Sequence, residues 1–113
     1  MKKTFLLSAI AMTLLACNSS NPLLDAPETP YGVPAFDQVK IEHYMPAFEA
    51  AIAEQKAEID AIVNNPAEPT FDNTIVALDR TGMLLERVSG VFFNVLEADG
   101  NDEMNAIAEQ VSP

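Results

Sequence analysis

The chain has 113 residues and a formal net charge of −11, with 17 acidic side chains against 6 lysines and arginines. That length gives one small domain at most. The charge argues against nucleic acid as a partner, since duplex phosphates are met by lysine and arginine, and the single cysteine, Cys17, leaves no intrachain disulfide to form.

Lys2 and Lys3 precede an apolar run from Phe5 towards Leu15 that is short for a bilayer span and placed as an export signal is placed. The run ends Leu14-Leu15-Ala16-Cys17, which resembles a bacterial lipoprotein signal, so residues 1–16 are expected to be removed and Cys17 to carry lipid. The plainer alternative is an ordinary secretory peptide with an incidental cysteine. Loss of Lys2 and Lys3 would take the charge from −11 to −13. Asn18-Ser19-Ser20-Asn21 has no acidic residue directly after the cysteine, which favours a periplasm-facing protein anchored in the bacterial cell envelope.

Residues 17–35 contain Pro22, Pro27, Pro30 and Pro34, which deny the backbone donors a helix needs. They read as a tether, with Tyr31, Val33 and Phe36 as the side chains able to dock on the body. Residues 36–113 read as all-α. The first helix is predicted over about 41–64, with Tyr44, Phe48, Ala51, Ile52, Ile59 and Ile62 on one stripe, opposite Glu49, Glu54, Lys56, Glu58 and Asp60. Pro46 implies an irregular first turn or a start near Met45. Asn64, Asn65 and Pro66 end this helix, and Pro66-Ala67-Glu68-Pro69 is a short rigid connection, so the next helix should return antiparallel.

That next helix, about 71–99, is predicted as one long rod capped by Thr70 with Asn73 in the third helical position. Phe71, Ile75, Leu78, Gly82, Leu85, Phe92, Phe93 and Leu96 share one sector, and Ala77, Leu84, Val88, Val91 and Val95 the next, which describes an interior helix. Asp79, Arg80, Glu86, Arg87, Asn94 and Glu97 occupy a hydrated arc. Gly100 is a natural stop, through the left-handed conformation that glycine tolerates. A third helix follows over about 102–111, started by Asp102 or Asn101, with Met104, Ile107, Ala108 and Val111 inward. It ends before it has a partner, and so little core implies marginal stability in isolation.

From Pro34 to Pro113, three stretches in order, PAFDQVKIEHYMPAFEAAIAEQKAEIDAI, NNPAEPTFDNTIVALDRTG and LLERVSGVFFNVLEADGNDEMNAIAEQVSP, resemble the N-terminal region of the thimet oligopeptidase-like metallopeptidases, nearest their bacterial peptidyl-dipeptidase branch. The resemblance implies an almost wholly helical fold around a channel that admits short peptides. It also implies zinc in the whole enzyme, held by a His-Glu-x-x-His helix with a further glutamate. This chain has one histidine, His43, and no such motif, so no catalytic or metal position carries over. The segment then reads as scaffold in a longer polypeptide, its partners being the remainder of that polypeptide, peptide substrates, and a membrane through the lipid. The alternative is a stand-alone lipid-anchored helical module that binds a partner through an uncovered apolar face.

Isolated features carry weaker readings. His43 near a helix start is a capping or packing residue before it is a ligand. Phe92-Phe93 fits core better than channel lining, Gly82 with Ser89 would permit a close helix crossing, and Asp79 with Glu86, or Asp99 with Asp102 and Glu103, lack the oxygen pattern of a calcium loop.

Overall fold

The computed structural model describes residues 21–112; the expected signal peptide and Cys17 lie outside them. The fold is all-α, as the periodicity indicated. α1 runs Ile41–Val63, a short π-helical stretch runs Phe71–Val76 straight into α2, Ala77–Asp79, and α3 (Met83–Asp99) and α4 (Asp102–Val111) follow.

α1 is helical from Ile41, so Pro46 lies inside it and the helix does not wait for Met45. The only bond Pro46 forfeits is the one to the Glu42 carbonyl, and it does so close to the end where donors are in excess. The contacts between α1 and α3 run in opposite order: Tyr44 and Phe48 meet Phe92, whereas Gln55 and Glu58 meet Gly82. The pair is therefore antiparallel. Phe92 is fully buried between Tyr44 and Phe48, with edge-to-face ring separations of 4.9 and 5.4 Å, the geometry aromatic quadrupoles favour. Ala47 and Ala51 on α1 and Val88 on α3 are also fully buried, Val91 is buried beside them, and Met104 and Ile107 bring α4 onto the same core.

The predicted 71–99 helix is two pieces. Arg80 and Thr81 bond back to the carbonyls of Ala77 and Leu78, and Gly82 turns the chain with φ +75°, a left-handed conformation that costs most side chains energy. α3 restarts there, its first turn closed by the Glu86 N–H on the Gly82 carbonyl. The break removes the expected first face as a unit: Phe71, Ile75 and Leu78 are exposed, and Phe93 lies at the edge of exposure, while Leu85 and Leu96 pack on the core. On α1, Ile52 and Ile59 are likewise exposed.

The capping chemistry is as predicted at two starts. Thr70 Oγ1 accepts from the Asn73 N–H at 3.1 Å and Asn73 Oδ1 accepts from the Thr70 N–H at 2.7 Å, a reciprocal box. Asn101 Oδ1 accepts from the Met104 N–H at 3.0 Å to open α4. Gly100 ends α3 in an extended conformation, φ −72° and ψ 155°, and not in the left-handed one. Glycine suits it because a Cβ would collide with the Leu96 carbonyl.

Candidate functional site

The polar chemistry of the described residues concentrates where the segment before α1 crosses the start of the helix pair. Residues 21–24 are not free chain. Asn21 Nδ2 donates to the His43 carbonyl at 2.7 Å while its Oδ1 accepts from the Leu23 N–H at 3.0 Å. Leu23 is buried in the core, a placement worth up to about 1.5–3 kcal/mol. From α3, Arg87 reaches across and donates through one guanidinium nitrogen to the carbonyls of Leu24 at 2.8 Å and Leu23 at 3.3 Å. Arg87 therefore leaves the hydrated arc assigned to it and fastens a strap. Over its described part the expected tether is docked at this end, while the three side chains predicted to dock do not: Tyr31, Val33 and Phe36 are all exposed. A short 3-10 turn at Pro30–Gly32 carries Tyr31 outward at φ 63°.

Behind the strap lies an open cleft of about 510 Å³, whose polar lining includes Asp25, Glu28, Gln38, Lys40 and His43. His43 is a capping residue, its Nδ1 accepting the Lys40 N–H at 3.0 Å. Lys40 is exposed and stands 3.9 Å from Glu42, a contact of little energetic weight. These groups can hold a small polar molecule, but no nucleophile with an oriented base is assembled among them. Nor do they fit a zinc ion: the chain's one histidine has a ring nitrogen committed to the backbone, and no three His, Cys, Asp or Glu side chains converge among the described residues.

A second long-range contact sits at the helix break. Glu58 Oε2 on α1 accepts the Gly82 N–H at 2.7 Å, placing a carboxylate at the positive end of α3. A Cβ on Gly82 would meet the Gln55 side chain, so α1 approaches the turn closely at this point.

No family model matches the chain. Its similarity to individual proteins is high over most of its length. It is 48% identical over 94 residues to the dipeptidyl carboxypeptidase of Salmonella typhimurium and 47% identical over 92 residues to that of Escherichia coli. Over most of its length this chain is similar to the bacterial dipeptidyl carboxypeptidases. Oligopeptidase A of Salmonella typhimurium is more distant, at 27% identity over 94 residues. The matches take in 81–83% of this chain but only 13–14% of each relative's length, so the chain spans about a seventh of the curated relatives it matches. The resemblance read from its three stretches is thereby borne out, and it supports a segment of peptidase kind. Asn21, Leu23, Glu58 and Arg87 escaped sequence reasoning as positions of interest. The signal that was there is the Leu23-Leu24 pair, an apolar pair between prolines in an otherwise polar stretch.

Proposed function

We propose that this chain is a non-catalytic scaffold segment at the front of a zinc metallopeptidase of the dipeptidyl carboxypeptidase kind, which hydrolyses short peptides with residues beyond position 113. The observation that carries the reading is the 47–48% identity to two dipeptidyl carboxypeptidases over most of this chain. The uncovered apolar side chains of the distal half, Ile52, Ile59, Phe71, Ile75 and Leu78, give the remaining polypeptide a surface to pack against. Zinc belongs to that remainder, as the donor set here does not suit it. Lipidation of Cys17 after removal of residues 1–16 would hold the enzyme in the bacterial cell envelope, facing the periplasm. No described helix is long and apolar enough to cross a membrane.

Reading the encoding DNA past the Pro113 codon tests this directly. The expected result is an open frame that reaches a His-Glu-x-x-His helix, and a full product whose peptide hydrolysis is lost to a chelator and restored by zinc. An in-frame stop in intact genomic DNA would remove the enzyme reading, and the exposed distal face would then belong to a stand-alone module that binds a partner.

A further inference from the structure

The strap changes what lipid on Cys17 would do. A free tether from Cys17 to Ile41 would comprise 24 residues, with a full reach of about 80 Å. With Asn21 fixed to the His43 carbonyl, Leu23 in the core and Arg87 closing over Leu23 and Leu24, the first fixed point lies only four residue steps after Cys17. Their reach is about 14 Å at full extension. The leash leaves the body at the start of α1. The far end of that helix, Val63, lies 20 residues beyond His43, about 30 Å along the axis.

We propose that residues 21–24 are a docked strap that converts the lipid anchor into a short leash, holding the start of α1 and its polar cleft against the bilayer surface with the 64–70 connection as the free end. This rests on the lipidation of Cys17 proposed above. The partner is a phospholipid surface met at close range, with the cleft lined by Pro22, Lys40 and His43 at the anchored end of the protein. A shorter leash also confines the apolar distal half to the end where the rest of a longer polypeptide has room.

The test uses the full polypeptide made in a bacterium with labelled palmitate, so that incorporation, and its loss in Cys17→Ala, reads the anchor independently of the strap. Because Cys17 is the only cysteine in these residues, Glu42→Cys or Asn65→Cys introduces an exposed thiol near the strap or at the far connection, with any thiols of the continuation replaced by serine. The purified lipidated protein goes into phosphatidylethanolamine–phosphatidylglycerol vesicles carrying a headgroup acceptor dye. Energy transfer should be about twofold or more higher from position 42 than from position 65. It should fall at position 42 when Leu23→Ser and Arg87→Ala undock the strap, and also when about ten Gly/Ser residues are inserted after Asn18, which lengthens the leash without touching the fold. Equal transfer from the two positions, or no response to the insertion, with palmitate still incorporated, overturns the strap. Absence of palmitate overturns the anchor and this inference with it.

Discussion

The two halves of the α1 hairpin carry the same kind of sequence and meet different fates. Near the strap, Tyr44, Ala47, Phe48 and Ala51 face Val88, Val91 and Phe92, and all are buried. Beyond Gly82, Ile59 on α1 and Phe71, Ile75 and Leu78 across the connection continue the same helical spacing yet stand exposed. Apolar periodicity marks a face that needs cover. It does not say that the cover lies within the same stretch of chain. The near half has three layers to draw on, α1, α3 and α4, with the strap's Leu23 filling the gap, whereas the far half has only one short turn of helix opposite α1.

The sharpest way to test that contrast is a matched pair of truncations. Phe92→Ala empties the centre of the aromatic cluster and should cost about 3–5 kcal/mol, enough to abolish cooperative unfolding of a segment this small in a urea titration followed by circular dichroism. Phe71→Ala in the same residues should change the midpoint little, since the ring is already in water. In a polypeptide continuing beyond position 113 the second substitution should become costly, and an unchanged midpoint there would count against a covered distal face.

Next in size is the strap. Arg87→Ala should destabilise by about 1.5–3 kcal/mol, the range for hydrogen bonds made by a charged group, and should make residues 21–24 cleavable by limited proteolysis while α4 stays protected. Gly82→Ala should cost about 1–2 kcal/mol, because alanine is strained at positive φ and its methyl group must displace the Gln55 side chain. If it instead stabilised the chain, the predicted continuous 71–99 helix would regain support. The smallest effect is on pH. Burial raises the ionisation of the Tyr44 phenol above its ordinary value of 10.0. The folded state holds the neutral form, so its stability should be complete below pH 10.0 and decline above it as the unfolded phenol ionises first. Tyr44→Phe should flatten that decline in denaturant titrations at alkaline pH.

What was legible in the sequence follows from the range of the interactions involved. The Thr70–Asn73 box, the Asn101 cap and the Asn64 to Pro66 stop each depend on a handful of neighbouring residues, and each was read where it occurs. Arg87 with Leu23 and Leu24 spans 63–64 residues, and Glu58 with Gly82 spans 24. No local pattern announces such contacts. The break at Gly82 was hidden for a different reason: Phe71, Ile75 and Leu78 fall in phase with Leu85 and Phe92 on an ideal wheel, so periodicity carried straight through a Thr-Gly pair that marks a stop. The similarity to peptidases was legible because order and spacing of three long stretches carry it, and Cys17 lies outside the described residues.

One consequence follows from the two places where α1 grips α3. Phe92 is seated between Tyr44 and Phe48, and the Gly82 N–H is held by Glu58. These grips are ten residues apart on α3, about 15 Å along its axis. A rod held at one point can pivot, and one held only by greasy contacts can slide by a helical turn into the next notch. Held at both, it can do neither. A slip of one turn would put Glu54 or Ile62 where Glu58 now stands and lift Phe92 out of its seat in the same motion. The aromatic clamp and the carboxylate latch thus act as two pins of one bracket, and together they set the angle of the distal end of α1 against α3.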